Sequence, residues 1–241
     1  MFFYSENDIV GSSPIGDEPK DPYFSNVSLL LNMDSDFNDS STNNHIATAG
    51  GDVKVSSIES KFGGGSGYFG GTDYLTVGTT SDTNSGGVFA IGDKYTIELW
   101  AYYHDLSGEQ TIIENFSGGS GPGWTFFKGA PGDSRNIAMY INGVTVSSNS
   151  TVSQNTWHHI AFTRDGTNAY LFLDGNLIGS STALGTAESY QGNYPLYIGE
   201  RNSGDGRSFA SKAYFDDVRL TKGVARYTAN FTPPTQAHPT S

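Results

Sequence analysis

The polar side chains of this sequence fall into a few patterns whose spacing decides what chemistry is open to them. Asp34, Asp36, Asn38 and Asp39 lie in DSDFND, an oxygen-rich run that matches the opening ligand positions of a calcium-binding EF-hand loop. Such a loop needs glycine at its sixth position and a bidentate glutamate at its twelfth. Asp39 and His45 stand there instead, so the EF-hand reading fails. His158 and His159 are adjacent in TWHHIAF, and neighbours on a β-strand point to opposite faces, so the two cannot chelate one metal ion. One core and one surface histidine are expected. No Gly-x-Ser-x-Gly elbow presents a serine nucleophile, and the glycine-rich run Phe62–Gly71 lacks the Lys-Ser/Thr ending of a phosphate loop. Recognition chemistry remains: a ring offered to an apolar ligand face beside a few hydrogen-bonding groups. Trp124 in SGGSGPGWTFF and Tyr190 and Tyr194 in SYQGNYP are candidate rings, with Arg201, Asn202, Asp205 and Arg207 in ERNSGDGRS as polar contacts. The competing reading makes Trp124 and Tyr194 core aromatics flanked by loops.

The elements that must position these residues read as strands. Thr156–Gly175 spells a strand, a turn at Asp165-Gly166, a second strand over Ala169–Leu173 and a tight turn at Asp174-Gly175. Tyr95–Tyr103 alternates, with Tyr95, Ile97, Leu99 and Ala101 on one face and Thr96, Glu98, Trp100 and Tyr102 on the other. Further strands are expected at Val27–Asn32, Val53–Ser57, Tyr74–Val77, Thr111–Asn115, Gly123–Lys128, Ile137–Ile141, Val144–Ser147, Leu196–Glu200 and Ala213–Leu220. Asn142-Gly143 marks a hairpin, Gly63–Gly71 reads as a connector, and Thr221–Tyr227 as a helical turn. Many short strands without a long helix predict an all-β, two-sheet antiparallel β-sandwich. Residues 1–24, carrying Pro14, Pro19 and Pro22, read as an extended N-terminal arm. Residues 25–232 form the sandwich, and 233–241 a tail beyond Pro233-Pro234, where order is expected to end.

Composition narrows the partners. The chain of 241 residues carries 13 Lys+Arg against 25 Asp+Glu, a net charge of −12, which repels phosphate and excludes nucleic acid and anionic membrane surfaces. With 0 Cys it has neither disulfides nor thiolate chemistry. The opening MFFYSENDIVGSSP has no cationic start and no signal-peptide apolar run, and no stretch nears the roughly 18 apolar residues of a membrane span. The turn-rich, lysine-poor, acidic composition nevertheless suits a protein that works outside the cell.

Five words occur in one order: YTIELW at Tyr95–Trp100, WHHIA at Trp157–Ala161, YLFLDG at Tyr170–Gly175, LYIG at Leu196–Gly199 and FDDVRL at Phe215–Leu220. Together with Leu29–Asp39 and FGGTDYLTV at Phe69–Val77, they resemble the laminin-G-like, concanavalin A-like jelly roll over most of the chain. The closing DVRLTKGVARYTANFTPP, with Asp21–Leu31, is similar to copies carried on bacteriophage particle proteins. The resemblance implies a non-enzymatic adhesion or decoration module on a virion, made in the host cytoplasm. Residues 1–24 would anchor it to other virion proteins, a cell-surface glycan would be its ligand, and a homo-oligomer is expected. It also implies a structural Ca²⁺ held by Asp39 with Asp216 or Asp217; these two are neighbours in a strand, so only one can face the ion by its side chain. The alternatives are a free bacterial carbohydrate-binding lectin and a glycan hydrolase. Hydrolases of this fold carry a Glu-x-Asp-x-x-Glu strand; two residues after Glu98 stands Trp100 and no acid follows, so that device is missing.

Overall fold

A computed structural model describes residues 20–83, 89–116, 123–129, 133, 135–141, 143–184, 195–201 and 209–241. Their strands, in chain order, are β1 (Val27–Leu31), β2 (Ala47–Gly50), β3 (Lys54–Ser56), β4 (Ser66–Gly70), β5 (Tyr74–Val77), β6 (Lys94–Tyr103), β7 (Gln110–Phe116) and β8 (Gly123–Lys128). There follow β9 (Asn136–Ile141), β10 (Val144–Thr151), β11 (Trp157–Asp165), β12 (Asn168–Leu173), β13 (Asn176–Ser181), β14 (Leu196–Ile198) and β15 (Lys212–Lys222). They build two antiparallel sheets. One has eight strands in the order β13-β12-β11-β6-β15-β4-β3, with β1 beside β15; the other has seven, in the order β10-β9-β8-β7-β14-β5-β2.

Period-two alternation makes this a sandwich. Ile97, Leu99 and Ala101 of β6, Ile160 and Phe162 of β11, and Phe215, Val218 and Leu220 of β15 point inward from the larger sheet. They meet Leu75 and Val77 of β5, Trp124 and Phe126 of β8, Met139 and Ile141 of β9, and Ile198 of β14. Eleven-residue β15 is the spine: one edge pairs with β6 along its length, while the other takes β4 at its start and β1 at its end. Its ladder with β6 shifts register between Asp216 and Arg219, and Asp217 has a φ of 53°, marking a β-bulge. Two residues therefore stand between the inward Phe215 and Val218, and Asp216 and Asp217 are both turned out of the core and both buried. The one-in, one-out expectation for this pair is overturned by the bulge.

The predicted meander is present as β11–β12–β13. Asp174 and Gly175, at φ of 50° and 76°, form the two-residue turn whose positive dihedrals match the strand twist. Three other expectations are corrected. Gly63–Gly71 contains β4, paired to β3 and β15, because Tyr68 and Phe69 supply packing that its glycines do not. Thr221 and Lys222 continue β15 rather than starting a helical turn. Order also persists past Pro233-Pro234: residues 223–241 fold back over the outer face of the eight-stranded sheet, where His238 is buried. There Arg226 N–H bonds Thr96, Phe231 N–H bonds the Gly175 carbonyl, and His238 N–H bonds Asp217. The described end of the N-terminal arm is part of the same layer, since Asp21 is buried and its N–H bonds the Ser241 carbonyl.

A β-carbon at Gly175 would run into the Phe231 carbonyl, and the residue already sits at positive φ. Gly175→Ala should therefore lower stability by on the order of 1–3 kcal/mol or more, read as a fall in denaturation midpoint. An unchanged midpoint would show that the tail does not pack on this turn.

Candidate functional site

The outer face of the seven-stranded sheet carries a row of residues that runs across all of its strands. By register, Thr145 stands opposite Tyr140, Tyr140 opposite Thr125, Thr125 opposite Glu114, Glu114 opposite Tyr197, Tyr197 opposite Thr76 and Thr76 opposite Thr48. Each is the out-facing neighbour of an inward apolar residue, as Thr125 is of Trp124 and Phe126, and Tyr197 of Leu196 and Ile198. Glu114, at the centre, is fully buried beneath Arg201. Arg201 bonds Glu109 Oε1 at 2.7 Å, lies 3.5 Å from Glu114 Oε2 and stacks on Phe209 at 4.5 Å from the ring centroid. The Thr125 hydroxyl donates to Glu114 Oε2 at 3.1 Å. A buried carboxylate is tolerable only with such partners, and here they also fix the guanidinium in place. Half-buried Tyr140 and Tyr197 flank this centre across the sheet, and Tyr74 packs 5.8 Å from Tyr197. The arrangement offers rings, phenolic and threonine hydroxyls and a fixed cation on one surface, which are means of holding a polyhydroxylated ligand.

Of the residues expected from sequence to contact a sugar, Arg201 belongs to this centre. Trp124 does not: on β8 it shares the inward face with Phe126 and is fully buried, so no ring face is open to a ligand. Tyr190, Tyr194, Asn202, Asp205 and Arg207 lie outside the described residues. Glu114, Tyr140 and Tyr197 were missed. For the tyrosines the signal is a lone phenolic residue inside an apolar strand word, as in IAMYI and LYI, and for Glu114 an acid directly after two isoleucines in TIIENF.

The opposite outer face disposes of Glu98 and the histidines. Glu98 is fully buried, with Arg219 Nη2 at 2.7 Å, the Tyr227 hydroxyl donating at 2.8 Å, and His159 Nε2 at 3.3 Å. Arg219 and Arg226 both reach Asp21, at 3.0 Å and 2.6 Å. Burial alone would raise the Glu98 carboxyl, but Arg219 and the His238 and His159 imidazoles more than offset it and hold it well below its ordinary value. A carboxylate so enclosed cannot meet a glycosidic bond. His159 is therefore not a surface residue: the tail covers it, with Phe231 edge-on at 5.6 Å.

His158 Nδ1 lies 2.7 Å from Asp174 Oδ2, and its Nε2 lies 2.8 Å from Ser153 Oγ, which superficially resembles a catalytic triad. The Ser153 backbone N–H also donates to Nε2, at 3.1 Å, so it points at the imidazole and not toward an oxyanion. The chain of bonds fastens the Ser153 loop to the Asp174 turn.

Asp39, Asp216 and Asp217 do not form one donor set. Asp39 accepts four bonds, from Leu30 N–H, Ser41 N–H, Ser41 O–H and His45 N–H, which close its own loop. Asp216 accepts from Lys61 and Phe62 N–H, and Asp217 from Asn32 and His238. Among the described residues, no group of three or more His, Asp or Glu could hold a metal ion.

Burial lowers the His238 imidazole from 6.5 to about 3, against the attraction of Glu98. The unfolded chain thus binds a proton as pH drops through 6.5, while the folded chain refuses it until about 3, so stability is lost over that interval. Asp216 and Asp217 act in the opposite sense. Burial raises them from 3.8 to about 7 and about 8, so their contribution favours the fold at low pH and is lost as pH rises through that window. His238→Asn should flatten the acid limb of the melting-temperature profile, and a variant limb as steep as the wild type's would refute this.

A comparison with curated proteins gave no match. Among solved structures, domain 4 of AbnA, a GH43 extracellular arabinanase from Geobacillus stearothermophilus in complex with arabinotriose, is similar at a TM-score of 0.63 and 15% identity, over 83% of this chain and 93% of that one. The binding domain of botulinum neurotoxin DC in complex with SialylT gives 0.58 and 16%, over 83% of this chain and 48% of that one. Botulinum neurotoxin type C, whose cell entry depends on interaction with two ganglioside molecules, gives 0.59 and 15%, again over 83% and 48%. The chain thus spans about half the length of these toxin chains, and the likenesses show a shared lectin-like fold. The laminin-G-type family model, described as concanavalin A-like lectin/glucanases superfamily, matches residues 69–226, from β4 into the covering segment beyond β15. The chain belongs to the concanavalin A-like lectin/glucanase superfamily.

Proposed function

We propose that the chain is a non-enzymatic glycan-binding module whose ligand lies across the outer face of the seven-stranded sheet, over Tyr140, Arg201 and Tyr197. The observation that carries this reading is the cross-strand row centred on buried Glu114, with Arg201 fixed above it. A carboxylate buried under an arginine and not exposed to solvent orients a binding surface. The named ligands of the similar structures, arabinotriose and gangliosides, support a saccharide as the class of ligand. Hydrolysis is disfavoured by the same geometry: Glu98 is sealed off, while Glu109 and Glu114 share one guanidinium. From the sequence we place the module on a virus particle, as an adhesion or decoration protein displayed by its N-terminal residues.

Two experiments test these readings. On a glycan array, wild type should bind at least one saccharide class, and Tyr197→Ala or Tyr140→Ala, which leave Arg201 over Glu114, should weaken that binding about tenfold, with the fold intact. Equal binding by wild type and both variants would refute the site. For display, deletion of residues 1–19, which spares the buried Asp21, should abolish particle incorporation while the melting temperature holds. Normal incorporation would sink the anchoring role.

A further inference from the structure

The eight-stranded sheet carries a second row that the glycan site does not use. Trp157 of β11 stands directly opposite Tyr102 of β6, Tyr102 opposite Tyr214 of β15, and Tyr214 opposite Tyr68 of β4. The ring centroids follow one another at 5.6, 5.8 and 5.1 Å. The row lies on the outer face, since Tyr102 alternates with the inward Ala101 and Tyr103, and it stands one step beyond Trp100, where cover by Phe62 begins. Trp157, Tyr102 and Tyr68 are half-buried, and Tyr214 forms the floor between Tyr102 and Tyr68. Polar groups edge it: the Glu59 carboxylate stands close enough to the Tyr102 hydroxyl to join burial in raising it above its ordinary value, and Lys54 lies opposite Tyr68 with its ammonium 5.7 Å from the ring.

The shape restricts what fits. The row is four strands long, about 15 Å at the usual strand spacing, and widens only at its Tyr68 end, where His104 stacks on Tyr68 at 5.5 Å, which suits an elongated ligand. It crosses the middle of a sheet whose backbone groups are already paired, so an added peptide strand has no edge to extend. A polyanion is opposed by Glu59 and by the net charge of −12. Rings turned 52–82° to their neighbours expose edges and hydroxyls as well as faces, which calls for a ligand that alternates apolar patches with hydroxyl groups. A neutral polysaccharide chain meets all of these demands.

We propose that Trp157, Tyr102, Tyr214 and Tyr68 form a second saccharide-contacting surface, for a neutral polysaccharide chain, on the sheet opposite the site described above. The proposal rests on the reading of the protein as a glycan binder but not on the location of that first site. Two surfaces on opposite sheets would let one molecule bridge two chains of a polymer or hold one polymer with avidity.

The test is affinity electrophoresis of the full chain through gels containing linear arabinan, mixed-linkage β-glucan or galactomannan, with polygalacturonate as the anionic control. Wild type should be retarded by at least one neutral polymer. Trp157→Ala and Tyr68→Ala, at opposite ends of the row, should each weaken retardation about tenfold, whereas Tyr102→Phe, which keeps the ring, should retain it. A second reading uses unmodified protein. Trp157 is the most exposed of the three tryptophans, Trp100 and Trp124 being 6% and 0% exposed, so the bound polymer should protect it from acrylamide quenching. Retardation that survives both alanine substitutions but is lost in Tyr197→Ala would overturn the second surface and leave the first standing. Loss only in the row variants would support the second surface and remove the first. If no neutral polymer retards or protects the wild type, the second surface is refuted whatever the glycan array shows.

Discussion

A carboxylate placed on a sheet face that is then covered must be paired in full or it unfolds the cover. Glu98 is that carboxylate, and its pairing with Arg219 is the constraint on which one side of this molecule depends. With Arg219 committed to Glu98 and Asp21, and Arg226 closing on Asp21, the start of the described chain and its last segment lock together above β6 and β15. Tyr227 adds a hydroxyl bond to Glu98, and Phe231 stacks on Tyr227 at 3.6 Å while meeting Phe172 and His159 edge-on. The layer is thus an ionic cluster with an aromatic lid. Removing one partner would leave an uncompensated buried charge, a loss of about 3–5 kcal/mol in comparable pairs.

This cover divides the surface of the sandwich by function. The eight-stranded sheet gives part of its outer face to the chain's own residues, and the aromatic row from Trp157 to Tyr68 occupies what is left. The seven-stranded sheet spends its one buried outer carboxylate, Glu114, on fixing Arg201. The same device, a buried acid under an arginine, therefore serves stability on one sheet and, in the function proposed above, ligand orientation on the other. The two arginines differ in their neighbours: Tyr227 reaches the Glu98 that Arg219 pairs, within the layer formed by the tail, whereas Arg201 stacks on Phe209.

Most of the architecture was legible because alternation is a local signal. The Tyr95–Tyr103 strand, the Gly123–Lys128 strand and the meander through Asp174-Gly175 are where their patterns place them. What escaped depends on contacts remote in sequence. β4 hides in a glycine-rich run because only Tyr68 and Phe69 carry its packing, and its pairing to β15 is remote in sequence. The bulge at Asp217 is invisible to strict alternation, which turns one of the two neighbouring aspartates inward where the structure turns both out. His159 looks like a surface residue until a segment some seventy residues later covers it. Trp124 shows the limit of reading a loop motif: the glycines before it suggested exposure, but its own strand alternation with Thr125 decided for the core. Glu114 and Tyr197 lie more than eighty residues apart in sequence, and only the register between β7 and β14 makes them neighbours.

Hydrogen exchange of the full chain, with and without a bound oligosaccharide identified on the array, tests the central claim most directly. Slowed exchange should map to β7, β8 and β14, around Glu114, Thr125 and Tyr197, while residues 223–241 exchange as in the free protein. Protection confined to the covering segment, with β7 and β14 unchanged, would contradict the account.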